Sequence, residues 1–305
     1  MLSRADGLKR PCAFLPNGSG NDLCRALGCE ELETALSYIV KGECIEIDTV
    51  RVLMDHDSEA TLPEGNDRLN YCRHMMINSA VAMPAKIANT AIPLKGCCGT
   101  KSYEIATLWE ACKGNFRPDN YDLFIDDERV TIGESQNIET TLLMVTNGKF
   151  TGAGCVINPF SVMNDGLIDV TWISDPAVNN LMGVAGLLGD AKKHGGSQAY
   201  KGQNTYMRGR KIRVTFGGRT GATEEFNSRP QLLGIDGEDL RYRHQVTWEC
   251  CPNSIETMFD TDVYFREFSS FINPQQGEVD RIVDQVFTDY DANKNEKLSA
   301  GELQQ

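Results

Sequence analysis

A glycine-rich turn near the start of the chain has residue types that bind phosphate. The string PNGSGND lies between a short apolar segment and the start of a predicted helix. Its candidate phosphate-binding residues are Gly18, Ser19, Gly20, Asn21 and Asp22. Free backbone N–H groups and the positive end of a helix dipole favour an anion at such a place. A glycine turn with an Asn or Asp cap is also an ordinary way to begin a helix. The turn alone therefore leaves both interpretations open.

Two pairs of carboxylates form a second group of candidates. Asp236 and Glu238 flank a glycine in LLGIDGED, and Asp165 and Asp169 are four residues apart in MNDGLIDV. Carboxylate oxygens can ligate a hard cation such as Mg²⁺ or accept a proton from a hydroxyl. Each pair also has a simpler interpretation. Asp-Gly is a common hairpin turn, and an even separation along a strand places two solvated acids on one face.

The end of the chain carries the spacing of a calcium-binding EF-hand loop. In DANKNEKLSAGE the predicted ligands, with the carbonyl of the lysine at the seventh place, are Asp291, Asn293, Asn295, Lys297, Ser299 and Glu302. An amphipathic helix is predicted ahead of this loop, over residues 279–287. Glu296 stands where the loop favours glycine. The alternative interpretation is an exposed polar helix cap.

These candidates must be positioned by two kinds of element. The first residues predict a short strand over 12–15, a helix from 21 or 22 to 27, and a second helix over 30–41. Between residues 44 and 263, short β-branched and aromatic segments separated by Gly, Asn, Asp and Pro predict an antiparallel sandwich. Helices are predicted within that region over 103–112 and 178–188.

The predicted fold class is therefore an α/β N-terminal fragment plus an antiparallel β-sandwich, followed by a short helical EF-hand tail. The predicted domains are residues 1–43, the C-terminal part of an α/β nucleotide-binding domain, then 44–263, the β-sandwich, and 274–305, a partial EF-hand.

Composition restricts the partners and the location. The net charge of −13 predicts no binding to nucleic acid. No run of about 20 apolar residues could span a bilayer, and the N-terminus lacks the apolar core of a signal peptide, so a cytoplasmic location is predicted. The 11 cysteines are interpreted as reduced thiols, because the doublets Cys97–Cys98 and Cys250–Cys251 lack zinc-type spacing.

Three motifs in order resemble the diacylglycerol kinase catalytic domain superfamily, which includes diacylglycerol, sphingosine and ceramide kinases and bacterial lipid kinases. The turn over residues 16–28 is similar to its GTGND-type motif. Residues 145–170 resemble its segment of an Asn-Gly, a glycine-rich turn, a proline and a closing DG-x-(L/I)-D-(V/L), and residues 232–239 resemble its IDGE motif. The resemblance covers about residues 1–255.

The resemblance implies an ATP-dependent lipid kinase that uses Mg²⁺ and acts on a lipid hydroxyl at a membrane surface, with peripheral membrane association. It implies that Asp236 is the catalytic base and that Glu238 is its partner near the metal and the nucleotide. Asp165 and Asp169 are the further Mg²⁺ candidates, and Ca²⁺ is a candidate for the tail.

The family's GGDGT-type glycine loop is expected upstream of the first motif, and this sequence begins after that point. We therefore expect little kinase activity from the 305-residue chain. Two alternatives remain open: a catalytically inactive module that responds to lipid or calcium, and an NAD kinase-like enzyme. The accepted lipid and the oligomeric state are not predicted.

Overall fold

Two antiparallel sheets form the centre of the fold in the computed structural model of the chain. The structure describes residues 10–18, 20–113, 117–132, 135–152, 154–174, 182–183, 186, 204–219 and 222–260. The chain divides into two compact units, residues 1–259 and 260–305. All elements given below belong to the first unit.

The first sheet has seven strands, in the order β2-β1-β15-β12-β4-β5 with β6 beside β4. Their bounds are β1 Cys44–Met54, β2 Cys72–Met75, β4 Asp119–Ile125, β5 Glu128–Arg129, β6 Ile138–Thr140, β12 Lys211–Gly218 and β15 Gln245–Met258. Burial alternates along β4, so this strand turns one face toward the core and the other outward.

The second sheet has six strands, in the order β11-β10-β7-β3-β13-β14. Their bounds are β3 Asn78–Ala82, β7 Leu142–Thr146, β10 Ile168–Ile173, β11 Asn204–Gly209, β13 Gln231–Ile235 and β14 Glu238–Tyr242. All residues of β7 and β10 are buried, so both faces of this sheet are covered at its centre. A separate two-stranded ribbon pairs β8, Phe150–Thr151, with β9, Cys155–Val156.

Seven α-helices lie in the described part of the chain. Their bounds are α1 Asp22–Ala26, α2 Leu32–Lys41, α3 Arg68–Tyr71, α4 Met83–Ala91, α5 Lys95–Cys98, α6 Ser102–Cys112 and α7 Glu224–Asn227. Helix α2 ends where its sequence predicts, because Gly42 adopts φ 71° and its N–H donates to the Tyr38 carbonyl.

The alternation of side chains along the second sheet divides the core into two layers. Leu143 and Val145 point into the layer between the sheets, together with Trp172 and Trp248. Leu142 and Met144 point the other way and belong to a second cluster with Met83 and Ile87 of α4 and with Ala106 of α6. Helices α4 and α6 therefore cover the outer face of the second sheet.

The predicted fold class is confirmed in its antiparallel sandwich. The predicted helices near residues 22–27, 30–41 and 103–112 correspond to α1, α2 and α6. The predicted strand over 12–15 is reduced to one bridge between Cys12 and Thr257. It is flanked by Pro11 and Pro16, which lack N–H donors for a ladder.

Several predicted elements lie in parts of the chain outside the described residues. Most of the predicted helix over 178–188, the helix over 279–287 and the EF-hand loop lie outside the described residues. The predicted domain boundaries stay predictions.

Candidate functional site

A cavity of about 1050 Å³ lies against the outer face of the second sheet, beside α4 and α6. The N-terminal glycine turn contributes Gly18, Gly20, Asn21 and Asp22 to its wall. The β13–β14 hairpin contributes Gly234, Asp236 and Gly237. The fold therefore brings two of the motifs that were singled out in the sequence, one from each end of the sandwich unit, to one cavity.

The glycine turn is held by a local hydrogen bond and a distant one. Asn21 has a left-handed backbone (φ 51°), and its Oδ1 accepts a hydrogen bond from the Gly18 N–H at 2.7 Å. Asp22 Oδ1 accepts one from the Gly154 N–H at 3.0 Å. Asp22 thus connects the start of α1 to the glycine-rich turn between β8 and β9. Ser19, a predicted phosphate-binding residue, lies outside the described residues.

Asp236 occupies the first central position of a two-residue hairpin turn. Asp236 and Gly237 have φ values of 47° and 87°, and Ile235 pairs with Glu238 across the turn. Positive φ at both central residues is the geometry that an Asp-Gly pair favours between two strands. The hairpin interpretation of this motif is therefore correct, and it is compatible with a chemical role for the side chain.

The Asp236 carboxylate is bound by the backbone ahead of β3. Oδ2 accepts a hydrogen bond from the Met76 N–H at 2.7 Å, and Oδ1 accepts from Ile77 at 2.9 Å and Asn78 at 3.0 Å. Burial raises the pKa of Asp236, and the three backbone N–H donors act in the opposite direction. The residue itself is exposed and lines the cavity, so its side chain can reach a bound molecule.

The same arrangement occurs at two aspartates that do not line this cavity. Asp55 (φ 60°) accepts hydrogen bonds from the backbone N–H groups of Arg243, His244 and Gln245. Asp126 (φ 50°) accepts from two more. A carboxylate that binds successive N–H groups is therefore a recurring structural device in this fold. What distinguishes Asp236 is its place in the cavity wall.

Three cationic side chains line the same cavity. Lys95 Nζ lies 3.4 Å from the Gly237 carbonyl oxygen and 5.6 Å from the centre of the Tyr103 ring. Lys101 follows on the same segment, and Arg25 lies beside Gly154. A cavity with a glycine turn and several cations fits a polyphosphate. Sequence analysis did not single out these residues, because isolated lysines carry no spacing signal.

Glu238, the predicted partner of Asp236, is not among the described residues that line the cavity. It is exposed at the start of β14, on the far side of the turn from Asp236. The structure places Asp236, and not Glu238, in the wall of the cavity that the glycine turn also lines. The role of Glu238 in metal binding stays a prediction.

Asp165 and Asp169 are brought together around one arginine. Arg208 Nε donates to Asp169 Oδ1 at 3.0 Å, and Arg208 Nη2 donates to Asp165 Oδ2 at 2.6 Å. Tyr206 Oη donates to the same Asp169 oxygen. Burial raises the pKa of Asp169, although these hydrogen bonds and the arginine lower it. Neither aspartate is among the described residues lining the cavity, and their magnesium role stays a prediction.

Asp48 is a buried carboxylate that sequence analysis missed. It is fully buried in β1, where Oδ2 accepts a hydrogen bond from the Gly166 N–H and Oδ1 accepts one from the Asn253 N–H, both at 2.7 Å. Burial raises its pKa. The available signal was an acid between Ile47 and Thr49 inside a segment rich in β-branched residues. Asp48 fixes the DG turn that precedes β10.

The described residues contain no cluster of three or more His, Cys, Asp or Glu side chains that could hold a metal ion. The predicted calcium ligands Asp291, Asn293, Asn295, Lys297, Ser299 and Glu302 lie outside the described residues, so calcium binding stays a prediction. Mg²⁺ is commonly held by one or two carboxylates together with substrate phosphates. Asp22, Glu104 and Asp236 are the carboxylates among the described residues that line the cavity; they form no such cluster, but each is of the kind that can share Mg²⁺ with the phosphates of ATP.

The rest of the cavity wall is largely apolar. Its apolar residues include Met83, Ile87, Leu142, Met144 and Ile157. Outside the cavity, α6 exposes Ile105, Leu108 and Trp109 on one side. None of the helices that the structure describes has the length and apolar character needed to cross a membrane.

Family models match both the N-terminal segment and the sandwich of the first unit. The family model for the YegS C-terminal NAD kinase beta sandwich-like domain matches residues 80–259, and the diacylglycerol kinase catalytic domain model matches residues 2–52. A probable lipid kinase YegS-like from Pectobacterium atrosepticum is 28% identical over 174 residues. That match covers 54% of this chain and 48% of the relative, so the chain spans about half the length of that curated relative.

Solved structures show the same fold. A putative diacylglycerol kinase from Bacillus anthracis has a TM-score of 0.59 at 15% identity, covering 84% of this chain and 70% of its own. A second putative diacylglycerol kinase from the same organism has a TM-score of 0.56 at 16% identity, covering 84% of this chain and 72% of its own. With the YegS-type sandwich over residues 80–259, the chain belongs to the diacylglycerol kinase catalytic domain superfamily.

Proposed function

We propose that the cavity is the site of an ATP-dependent lipid kinase, where a hydroxyl of diacylglycerol, sphingosine or a related lipid is phosphorylated. The observation that supports this most strongly is the presence of the glycine turn and Asp236 in one cavity wall. Phosphoryl transfer depends on positioning and charge neutralisation, so it needs a phosphate cradle next to a proton acceptor. The cavity wall offers both, and the rest of that wall is largely apolar.

The phosphate side of the proposed site is formed by the described residues of the glycine turn together with three cations: Gly18, Gly20, Asn21, Asp22, Lys95, Lys101 and Arg25. The turn offers backbone and side chains without bulky groups, and the cations would offset the negative charge of ATP. Bound Mg²⁺–ATP would supply the phosphoryl group and neutralise its developing charge. Asp22 and Glu104 are the carboxylates that we propose would ligate this Mg²⁺, because Mg²⁺ prefers oxygen ligands.

Asp236 is the proposed proton acceptor. Three backbone N–H groups fix its carboxylate in place, so its orientation needs no reorganisation when a substrate binds. Burial raises its pKa above that of an ordinary aspartate, which makes the carboxylate a stronger base for a lipid hydroxyl.

The acceptor lipid would enter from the membrane beside α6. Ile105, Leu108 and Trp109 are 43%, 52% and 58% exposed on the helix that also contributes Tyr103 to the cavity wall. Trp109 packs under Lys113, whose Nζ lies 5.3 Å from the ring centre. Aromatic and cationic side chains together are typical of a membrane interface. We propose that this side of α6 rests on the bilayer surface.

An assay with matched variants tests the proposed reaction. The chain, alone and extended upstream through a GGDGT-type glycine loop, is mixed with Mg²⁺–ATP and vesicles containing diacylglycerol or sphingosine, and phosphorylated lipid is measured. Little activity is expected from the 305-residue chain itself, so the variants are compared in the extended form. Asp236→Asn should lower kcat by about 10²-fold or more with little change in ATP affinity, because an amide cannot accept the hydroxyl proton. Asp55→Asn removes the same kind of backbone contact away from the cavity, so it should keep kcat within a few-fold.

The alternatives give different results in the same assay. Lipid binding without phosphorylation by any form would support an inactive module, and phosphorylation of NAD in place of lipid would support an NAD kinase-like enzyme. Equal kcat for the Asp236→Asn variant and the parent would reduce Asp236 to a turn residue. For the membrane contact, Trp109→Glu should reduce vesicle binding, whereas Val40→Glu on the exposed side of α2 should not.

A further inference from the structure

Two adjacent cysteines at the end of α5 present their sulfurs to each other. The Sγ atoms of Cys97 and Cys98 are 3.3 Å apart. Cys97 is exposed and Cys98 is half-buried, so a small molecule can reach both. Cys97 Sγ is also 3.3 Å from the Leu94 carbonyl oxygen, a contact within the same short helical stretch that places the thiol. The backbone departs from regular helical geometry at Cys98 (φ −113°), and the two neighbouring sulfurs come together there.

The second cysteine doublet of the chain shows the opposite arrangement. Cys250 and Cys251 are consecutive in β15, and consecutive side chains of a strand point to opposite faces of the sheet. Burial raises the pKa of Cys250 to about 12, and it also raises the pKa of Cys251. This doublet therefore cannot present two sulfurs to one atom. Cys250 and Cys251 therefore serve as an internal control, because two adjacent cysteines alone should not bind one atom through both sulfurs.

A direct disulfide between Cys97 and Cys98 would be strained. Adjacent Cα atoms are about 3.8 Å apart across a trans peptide, whereas disulfides span about 4.4–6.8 Å between Cα atoms. If one atom bridges the two sulfurs, no S–S bond has to form and the strain of a direct disulfide is avoided. Soft centres are the ones that thiolate ligands select.

We propose that Cys97 and Cys98 form a bidentate dithiol site for a soft, thiophilic centre, of which trivalent arsenic in an organic arsenical is the representative class. With an arsenic(III) oxide, two As–S bonds form and the As=O bond breaks. The oxygen leaves as water with both thiol protons. Arsenic stays trivalent, so no oxidant or reductant takes part.

The proposed site lies next to the cavity already described. Lys95, Gly99 and Lys101 line the cavity, and the two cysteines are within the same segment. Gly99 follows Cys98 directly, and a Cβ at Gly99 would meet nothing within 4 Å, so there is open space beside the second thiol. A bound arsenical would therefore sit at the border of the cavity, close to the lysine that contacts Gly237.

Intact-protein mass spectrometry with phenylarsine oxide tests the proposal on the full chain. One adduct per chain is expected, resistant to excess monothiol and removed by a small dithiol, because only chelation by two sulfurs survives competition from single ones. Cys97→Ser and Cys98→Ser should each weaken the adduct at least tenfold. Cys112→Ser, which removes another exposed thiol, should leave it unchanged.

Other outcomes would overturn the proposal. An adduct of equal strength in both serine variants would place the site elsewhere, as would peptide mapping to Cys250–Cys251 or to the buried Cys24 and Cys29. An adduct that monothiol removes would show attachment through one sulfur only. Thermal unfolding of each variant is measured alongside, and the serine variants at this surface position should keep the Tm of the parent.

Discussion

Asp236 and Asn78 are joined by hydrogen bonds in both directions. The Asp236 N–H donates to the Asn78 carbonyl at 2.9 Å, and the Asn78 N–H donates to Asp236 Oδ1 at 3.0 Å. These bonds tie the β13–β14 hairpin to the start of β3, at the edge of the cavity. The residue proposed as the proton acceptor is therefore also a structural residue, and a loss of activity in its variants must be separated from a loss of folding.

Asp236→Asn and Asp55→Asn should destabilise the fold by similar amounts, about 1–3 kcal/mol each. Each change replaces one acceptor oxygen by an NH₂ group that faces backbone N–H donors, and charged hydrogen bonds are worth that much. Urea unfolding of both variants measures the effect. A much larger loss for Asp236→Asn than for Asp55→Asn would show that the two contacts are not equivalent, and Asp55 would then fail as a control for the activity assay.

The sandwich was predictable because its strands carry strong local signals. Segments such as residues 168–173 are rich in β-branched and aromatic residues and are bounded by Asp, Gly and Asn. The Asp236-Gly237 turn was predictable for a similar reason, since few other pairs suit positive φ at two successive positions.

The cavity was not predictable from the sequence pattern. Helix α4 follows β3 directly at Met83, so no polar turn marks the boundary between strand and helix. The pairing of Asp165 and Asp169 with Arg208 depends on the register between β10 and β11, where Asp169 lies opposite Arg208. Lys95 meets Gly237 across 142 residues of chain, and nothing local encodes that contact.

Asp48→Asn should flatten the pH dependence of stability. Burial raises the pKa of Asp48 above its ordinary value of 3.8, so the folded chain keeps this proton to a higher pH than the unfolded chain does. The stability that this proton contributes is fully present below pH 3.8 and is lost as the pH rises through the raised value. Denaturant unfolding at a series of pH values upward from 3.8 measures it.

The Asp48 prediction concerns how steeply the free energy of unfolding changes with pH, and not its value at any one pH. At pH values where the parent's Asp48 is ionised, the variant lacks one acceptor, because its amide cannot accept both the Gly166 and Asn253 N–H groups. The parent should nevertheless lose stability more steeply with rising pH than the variant. Parallel curves would mean that this carboxyl has the same proton affinity in the folded and unfolded chains.

Gly237→Ala should lower stability by about 1–2 kcal/mol, because an L-residue pays a steric cost at the φ of 87° found here. Space is not the reason: a Cβ at this position would meet only Lys95 Nζ at 3.5 Å and Tyr103 Oη at 3.8 Å. Gly96→Ala is the matched control within α5, where a Cβ meets nothing within 4 Å. It should raise stability by about 0.5–1 kcal/mol, as alanine does inside helices. Tm shifts of opposite sign are expected for the two variants.

The predicted EF-hand loop should bind Ca²⁺ more weakly than sensor proteins do, with a Kd above about 10⁻⁵ M. Only Asp291 and Glu302 bring charge to the predicted ligands, and Glu296 occupies the position that favours a left-handed backbone. Calorimetry on the full chain measures the affinity. Glu296→Gly should tighten binding severalfold, and Glu302→Gln should abolish it. Submicromolar binding by the parent would show that the charge count misjudges this loop.

Arg208→Met should destabilise the fold by about 3 kcal/mol, because it leaves the buried Asp169 carboxylate without its cationic partner. Lys211→Met is the matched control on β12, the next strand in the sequence, which belongs to the first sheet. Its partner Asp127 is 65% exposed, so that pair is worth at most about 1 kcal/mol. Chemical denaturation of the two variants gives both values.

Added Mg²⁺ tests the magnesium role predicted for Asp165 and Asp169. If Mg²⁺ restored the stability of Arg208→Met and not of Lys211→Met, a cation could replace the guanidinium between the two carboxylates, which would favour that role. Equal losses in both variants, with no response to Mg²⁺, would show that the arginine contributes no more than a surface ion pair.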